Sequence, residues 1–146
     1  MQLLDASRLL QMSHHELDDL YRDSPAGEIP RGEGHGTVLV APGTELAEAA
    51  AQFVHRFGWQ GKVFDPDRGE LRNEVGPFGA KAIVAKVYQG VSWFDGKEAI
   101  ILDYSQTSLI AHWVRDEIRL VAPGLYLGIA YLGHVKVVNF AFSFSI

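Results

Sequence analysis

The sequence predicts a mainly β protein: an antiparallel β-barrel of about eight strands, with two helices near the N-terminus. Short runs that alternate between apolar and polar residues recur after residue 58, and turn residues separate most of them. Because no long helical pattern interrupts these runs, an antiparallel meander is favoured over a parallel sheet. The last run is so apolar on one face that a bare sheet edge would aggregate, and closing the sheet into a barrel removes that edge.

The first predicted helix begins at a capping box. Ser13 and Glu16 have the spacing at which each side chain accepts a hydrogen bond from the other residue's backbone N–H. The apolar residues that follow lie three and four positions apart, as on one face of a helix: Leu17, Leu20 and Tyr21. Residues 25–36 then contain two prolines and four glycines, which predicts a sharply bent loop.

The second predicted helix has the clearest helical pattern in the chain. Thr44 is placed to cap it, and Gly58 lies where a glycine in the left-handed conformation commonly ends a helix. Between them the apolar residues share one helical face: Leu46, Ala50, Phe53, Val54 and Phe57. The two helices are expected to cover or plug one end of the barrel.

The predicted strands are short. In chain order they are residues 37–41, 62–65, 70–75, 80–88, 91–94, 97–104, 125–132 and 135–146. Asp95-Gly96 predicts a hairpin with a type I′ turn, whose two central residues both need positive φ. Residues 105–122 fit either a helical stripe or, from Glu117, a strand. We expect a turn or short helix at 106–113 followed by a strand.

The final predicted strand alternates regularly along its length. Its large apolar residues point to one face: Val138, Phe140, Phe142, Phe144 and Ile146. Its smaller residues point to the other face: Asn139, Ala141, Ser143 and Ser145. We expect the large face to lie inside the barrel.

Composition limits the classes of function. The 146 residues suffice for a single domain, in which residues 1–58 form a helical lid and the first strand, and residues 59–146 form the meander that closes the barrel. The formal net charge of −5 argues against nucleic-acid binding, because phosphate contacts need a basic surface. The chain contains no cysteine, which excludes disulfides, thiolate nucleophiles and cysteine-ligated zinc.

We expect no metal site, no cofactor and no membrane partner. The six histidines include no pair spaced to share one face of a helix or strand. The longest uncharged run, residues 120–135, is short and is broken by proline and glycine, unlike a transmembrane helix. The N-terminus lacks the basic and apolar regions of a signal peptide, so a cytoplasmic location is expected. The sequence is compatible with a homodimer.

The densest polar cluster lies in one predicted strand. Alternation places Arg115, Glu117 and Arg119 on one face and Asp116 on the other. If the three-residue face lines the barrel, two guanidinium groups flank one carboxylate and can clamp an anionic or enol ligand. Glu117 and Asp116 are then the candidate acid–base catalysts. The alternative is a solvated face with local ion pairs, which is the commoner role of charge runs.

Four further residues are candidate ligand contacts. Lys62 would contact an anion if its strand faces inward, and Tyr104, at a strand end, can donate a hydrogen bond into a cavity. Trp93, beside the predicted hairpin turn, can cover the barrel mouth, and Tyr126 lies in a later strand. Ordinary core packing is the alternative for the aromatic residues.

A motif at the start of the meander resembles that of a known family. The run Gly58-Trp59-Gln60-Gly61-Lys62-Val63-Phe64-Asp65 is similar to the Trp-x-Gly-Lys-x-Phe signature of the GXWXG/DUF4334-type proteins. The order of helix, loop, helix, motif and strands is also similar. The family's Gly-x-Trp-x-Gly element is absent, and Gly34-His35-Gly36 lies in its place. The resemblance implies a calycin-like, that is lipocalin-like, barrel and no particular activity.

Three functions are compatible with these patterns. The first is binding of a small, largely apolar molecule with an anionic or polar end, because an eight-stranded barrel is just wide enough for one small ligand. Arg115, Glu117 and Arg119 would then orient the polar end. The second is a cofactor-free isomerase, cyclase or hydrolase that uses a barrel carboxylate as acid or base. The third is an interaction module with a filled barrel, so the interior decides among the three.

Overall fold

The described part of the chain closes into an antiparallel β-barrel. The computed structural model describes residues 4–39, 62–75, 80–105 and 114–145. Each strand pairs antiparallel with the next, and the eighth pairs with the first, so the eight strands form a closed ring. The predicted fold class is confirmed. The elements are α1 (Ala6–Leu10), α2 (His14–Asp23), β1 (Gly32–Leu39), β2 (Lys62–Asp65), β3 (Glu70–Val75), β4 (Ala80–Val91), β5 (Glu98–Asp103), β6 (Val114–Ala122), β7 (Leu125–Leu132) and β8 (Val135–Ser143).

Most of the predicted strands are confirmed. Three have the predicted bounds: residues 62–65, 70–75 and 125–132. The ambiguous segment is strand from Val114 onward. The first strand begins at Gly32, inside the segment predicted as a loop. The separate strand predicted at 91–94 is wrong, because Val91 ends β4 and the following residues form a turn.

The first predicted helix is confirmed as α2. Its capping box is complete: Glu16 N donates to Ser13 Oγ and Ser13 N donates to Glu16 Oε1, both at 3.1 Å. The sequence pattern does not predict the five-residue α1, which begins where the Asp5 side chain accepts a backbone N–H of the first turn. The second predicted helix, with its terminal Gly58, and residues 106–113 lie outside the described residues. No helix in the described ranges has the length and hydropathy needed to cross a membrane.

The β4–β5 hairpin forms as predicted, but its turn is not type I′. Ser92 N donates to Lys97 O at 2.8 Å, and Gly96 N donates to Ser92 O at 3.0 Å. Gly96 has a φ of 76°, whereas Asp95 lacks the positive φ that a type I′ turn requires. The Asp95 carboxylate instead accepts the backbone N–H of Lys97 at 3.0 Å and pairs with Arg119. The side chain of Asp95 therefore helps to fix this turn.

Side chains from all around the barrel form one apolar core in its interior. In β8, Phe140 and Phe142 point into this core, while Ala141 points to the outer wall, so the predicted orientation of the final strand is confirmed. The buried members of the core are Ala26, Phe64, Leu71, Ala85, Val87, Ile100, Leu102, Tyr104, Val114, Ile118, Tyr126, Ala130, Val138, Phe140 and Phe142.

Two glycines make room for aromatic rings in this core. The ring of Phe140 lies against Gly128, its partner on the neighbouring strand, so closely that a Cβ at Gly128 would overlap the ring. The ring of Phe144 covers Gly34 in the same way, where a Cβ would lie 2.7 Å from the ring. Even an alanine side chain would therefore displace either ring.

The two observed helices pack on the outer wall of the barrel. In β7 the odd-numbered residues face the helices, whereas the even-numbered Tyr126 and Ala130 face the interior. The prediction that α2 covers or plugs one end is wrong, because its apolar stripe packs against the outside of the sheet. The buried members of this outer cluster are Leu9, Leu17, Tyr21, Leu39, Leu125, Leu127, Ile129, Tyr131 and Ala141.

The loop between α2 and β1 closes one end of the barrel. Leu120 N, near the end of β6, donates to Ala26 O at 3.3 Å, and the Ala26 side chain enters the interior core. Tyr126 Oη, near the start of β7, donates to Glu28 O at 2.7 Å. We call this segment the closing loop. At the opposite end, the β1–β2, β3–β4 and β5–β6 connections include residues outside the described ranges.

Phe142→Ala is expected to lower the free energy of unfolding by about 3–5 kcal/mol, because it removes a buried ring and leaves a cavity in the barrel. Ser143→Ala, at the next residue and on the other face, is the control and should change it by less than about 0.5 kcal/mol. Urea unfolding followed by tryptophan fluorescence measures both variants. Equal midpoints would contradict the inward orientation of Phe142.

Candidate functional site

Three polar side chains lie inside the barrel, at the end opposite the closing loop. Lys62 is the first residue of β2, Asp116 is the third residue of β6, and Tyr104 directly follows β5. All three are buried. On β6, Asp116 alternates with Val114 and Ile118, which are members of the interior core, so it shares their inward face. We call Lys62, Tyr104 and Asp116 the interior polar group.

Asp116 is the carboxyl group of this site and is only 3% exposed. Tyr104 Oη donates to Asp116 Oδ2 at 3.1 Å, while Oδ1 has no hydrogen-bond partner within the described part of the chain. Burial raises the pKa of Asp116 to about 7, although the Tyr104 hydrogen bond and the charges of Lys62 and Arg115 act in the opposite direction. Asp116 therefore exchanges its proton near neutral pH.

Lys62 faces the interior from the opposite wall. It lies two positions before the core residue Phe64, and β2 and β6 are separated by three strands in each direction around the ring. Lys62 is 4% exposed, and it forms no ion pair or hydrogen bond with any of the described residues. Burial lowers the pKa of Lys62 to about 8, against the attraction of the Asp116 charge. This amine is therefore much less basic than that of an ordinary lysine.

The interior polar group combines three chemical properties. Lys62 supplies a positive charge or, when it loses its proton, a nucleophilic amine. Asp116 supplies a carboxyl group able to act as acid or base near neutral pH. Burial and the Asp116 carboxylate raise the pKa of Tyr104 well above its usual value, so the phenol stays protonated and acts as a donor. Such groups interact strongly with a bound polar atom because an apolar interior screens charge weakly.

Arg115, Glu117 and Arg119 share one face of β6, as predicted, but this face is the outer wall of the barrel. Glu117 and Arg119 are fully buried there, beneath α2 and the β4–β5 hairpin. The prediction that these three residues line the barrel interior is wrong, because the alternation that turns Asp116 inward turns its neighbours outward. We call these three residues and their partners the outer network.

Glu117 is the centre of the outer network. Its Oε1 accepts hydrogen bonds from Tyr21 Oη at 2.9 Å and from Ser92 Oγ. Its Oε2 accepts hydrogen bonds from Trp93 N at 3.0 Å and from Arg115 Nη1 at 2.6 Å. All four donors belong to the protein, so the buried carboxylate is fully hydrogen-bonded. Glu117 therefore holds α2 and the hairpin to the barrel wall, and it does not reach the interior.

Arg119, a buried cation beside the anionic Glu117, holds the same elements together. Its Nη1 and Nη2 donate to the two carboxylate oxygens of Asp95 at 2.6 and 2.7 Å. It also donates to Tyr21 O at 2.9 Å and to Glu98 O at 3.0 Å. The Arg119 hydrogen bonds hold the pKa of Asp95 down at about 2. The bidentate pair therefore fixes the β4–β5 hairpin on the outer wall.

The other two predicted ligand contacts lie apart from the interior polar group. Trp93 is 45% exposed on the outer surface, 4.1 Å from the Arg115 guanidinium and 4.5 Å from the His134 ring. It lines an outer groove of about 550 Å³ and does not cover the barrel mouth. Tyr126 faces the interior, but its hydroxyl donates to the closing loop at Glu28. Among the residues that the structure describes, no three His, Asp or Glu side chains are grouped to hold a metal ion.

Sequence patterns identify each member of the interior polar group, but not the group itself. They miss Tyr21, Ser92 and Asp95 as the partners of Glu117 and Arg119. In the sequence, Tyr21 belongs to a helical stripe, and the other two flank a turn. Only the packing of α2 and the hairpin on β6 brings these distant residues together, so no local spacing identifies them.

Comparison with known proteins supports the fold. No family model matches the chain, and no curated protein matches it. Among solved structures, the crystal structure of a protein from Thermomonospora curvata matches with a TM-score of 0.64 and 16% sequence identity, over 92% of this chain and 89% of that chain. A likeness at this identity shows the fold alone. The family resemblance of the motif at 58–65 stays a prediction.

Asp95→Ala is expected to lower the free energy of unfolding by about 3–5 kcal/mol, because it leaves the buried Arg119 guanidinium without its carboxylate. Asp19→Ala, which breaks an exposed ion pair with Arg22 on α2, is the matched control. It should change the free energy by less than about 1 kcal/mol. Urea unfolding at neutral pH measures both variants, and equal losses would contradict the structural role of the outer network.

Asp116→Asn is expected to change how stability depends on pH. The carboxyl pKa is about 7 in the folded protein and 3.8 ordinarily, so between these values the folded state keeps a proton that the unfolded chain has lost. The titration of Asp116 therefore lowers the free energy of unfolding of the wild type as the pH rises from about 4 to about 7. The variant has no carboxyl group at this position, so it should not show this decrease.

Urea unfolding of both proteins at several pH values across this range tests the expectation. Lys62 and Tyr104 are the titratable described residues that face Asp116 within the barrel, and neither has a pKa below that of Asp116. A difference in unfolding free energy between wild type and variant that stays constant with pH would rule out the shifted carboxyl group.

Proposed function

We propose that the protein binds a small, largely apolar molecule inside the barrel and holds its anionic or polar end with the interior polar group. The observation that carries this proposal is Asp116, which is buried in an apolar core with Oδ1 unpaired among the described residues. A buried polar atom without a partner costs about 1–3 kcal/mol and is rare in folded proteins. A ligand that hydrogen-bonds to Oδ1 would remove that cost.

The charge opposite Asp116 supports an anionic end on the ligand. Lys62 supplies a buried positive charge, and Tyr104 and the protonated form of Asp116 supply hydrogen-bond donors. A ligand carboxylate or enolate would complete an arrangement that otherwise has more donors than acceptors.

The row of side chains beside Asp116 supports an apolar ligand body. Asp116 pairs with Ala130, and Ala130 pairs with Val138, both on the inward face. Ala130 and Val138 present smaller apolar side chains to the interior than Phe140 and Phe142, which lie nearer the closing-loop end of β8. The sequence predictions of a cytoplasmic location, a homodimer and no nucleic-acid or membrane partner accompany this proposal and stay predictions.

The second candidate function is a cofactor-free isomerase, cyclase or hydrolase in which Asp116 is the acid or base. The observation that favours it is the pKa of Asp116, which burial raises to about 7, where a carboxyl group can both donate and accept a proton. This role replaces the one that the sequence assigns to Glu117, whose four hydrogen bonds lie on the outer wall.

Binding of decanoate tests the proposed function, with displacement of the fluorophore 1-anilinonaphthalene-8-sulfonate as the readout. Lys62→Met is expected to weaken decanoate binding by about 1.5–3 kcal/mol, because a charged hydrogen bond is lost. Lys86→Met is the matched control, since Lys86 is exposed on the outside of β4, and it should bind as the wild type does. Failure of the wild type to bind decanoate, or equal binding by the wild type and Lys62→Met, would refute the proposed site.

A further inference from the structure

We propose that Lys62 captures a carbonyl compound: its ε-amine condenses with an apolar aldehyde or ketone inside the barrel to form an imine, and Asp116 donates the proton that the reaction needs. This inference rests on the proposed function and names the class of ligand more narrowly. The geometry that points to it is a buried amine facing a buried carboxyl group, where neither the amine nor one carboxyl oxygen has a hydrogen-bond partner among the described residues.

Lys62 differs from the structural cations of this protein. The buried Arg119 guanidinium has a carboxylate and two backbone carbonyls as acceptors. Lys62 is almost as deeply buried, but none of the described residues accepts a hydrogen bond from it. An ammonium group retained for stability is normally paired. Desolvation without a partner is the condition that makes a lysine nucleophilic in carbonyl chemistry.

The same burial supplies the reactive form of the amine. With the pKa of Lys62 lowered to about 8, roughly a tenth of the groups are neutral at pH 7. An exposed lysine with an ordinary pKa is neutral in only about one molecule in 2,500 at that pH. The interior amine is therefore available for addition without a separate base.

The atoms and protons of the condensation are accounted for by the carbonyl compound, Lys62, Asp116 and one released water molecule. The Lys62 nitrogen forms a bond to the carbonyl carbon, the C=O π bond breaks, and one proton moves from nitrogen to oxygen to give a carbinolamine. Asp116 then donates its proton to the hydroxyl group, the C–O bond breaks, and water leaves as the nitrogen lone pair forms C=N. The products are a protonated imine on Lys62, a carboxylate on Asp116 and one water molecule.

Asp116 and Tyr104 suit this sequence of steps. Tyr104 Oη is bonded to Oδ2, so Oδ1 is the oxygen left to exchange a proton with the ligand. After dehydration, the Asp116 carboxylate is the counter-ion of the protonated imine, and the pair is neutral in the apolar interior. Tyr104 does not touch the reacting atoms in this scheme and is a positioning residue.

Reductive trapping tests the inference on the full chain without any variant. Wild-type protein is incubated near neutral pH with decanal and sodium cyanoborohydride, which reduces an imine to a stable secondary amine. Peptide mapping by mass spectrometry then gives the rate of decyl addition at each lysine. Lys62 is expected to react at least about tenfold faster than the exposed Lys86, because burial disfavours the protonated form of Lys62 and Asp116 supplies the proton for dehydration.

Variants assign the roles of the two groups. Lys62→Met should lose only the label on its own peptide, and Asp116→Asn should slow labelling of Lys62 by about a hundredfold, as expected for the loss of a general acid. Urea unfolding confirms that each variant is folded. Labelling of Lys62 that is as fast in Asp116→Asn as in the wild type would overturn the role of Asp116.

Non-covalent ligands separate this inference from the proposed function. Decanol and decanoate have the chain of decanal but no aldehyde, and their binding is measured by displacement of 1-anilinonaphthalene-8-sulfonate. If they bind while Lys62 is labelled no faster than Lys86, imine formation is refuted and the proposed function stands. If decanal, decanol and decanoate all fail to bind, both are refuted.

Discussion

Alternation along β6 divides the charged residues of this protein between two surroundings. Consecutive strand residues point to opposite faces, and closure of the sheet makes one face the barrel interior and the other the wall beneath α2. A shift of one residue in register would turn Glu117 into the interior and Asp116 to the outer wall. One constraint on the register is that Ile118 pairs with Gly128, and Gly128 pairs with Phe140, whose ring leaves no room for a Cβ beneath it. The packing of this ring on this glycine thus contributes to the register that places the Asp116 carboxyl group in the interior.

The two faces of β6 differ in how completely their buried charges are paired. On the outer wall, Glu117 accepts four hydrogen bonds and Arg119 is paired with Asp95, so desolvation of both charges is offset by local partners. In the interior, within the ranges that the structure describes, Lys62 has no partner and Asp116 has one unpaired oxygen. Among the described residues, buried charges are therefore fully paired on the outer face of β6 but not on its inner face. This difference is the one expected between a structural network and a binding site.

Local patterns predict the barrel because each depends on neighbouring residues only. The Ser13 capping box, the alternation of β8 and the bounds of β2, β3 and β7 are of this kind. The outer network could not be predicted, because the wall of β6–β8 is buried on both faces. Leu127 and Ile129 on the outside are as deeply buried as Phe140 on the inside, so hydrophobicity alone does not show which face is the interior. That choice is made by the packing of α2, through contacts about a hundred residues apart in sequence.

The cost of removing charged groups from water affects both the stability and the chemistry of the interior polar group. Removal from water disfavours the charged forms of Lys62 and Asp116, which brings their pKa values to about 8 and about 7. The two groups can be ionised or neutral with the same number of protons, and they titrate as a coupled pair. The neutral pair is a nucleophilic amine facing an undissociated acid, the combination that carbonyl condensation needs. An anionic ligand is suited by a different form, in which Lys62 is protonated and Asp116 is undissociated, because an Asp116 carboxylate would repel the ligand. In the proposed site, the protonation state of Lys62 would therefore decide between holding a carboxylate and reacting with a carbonyl group.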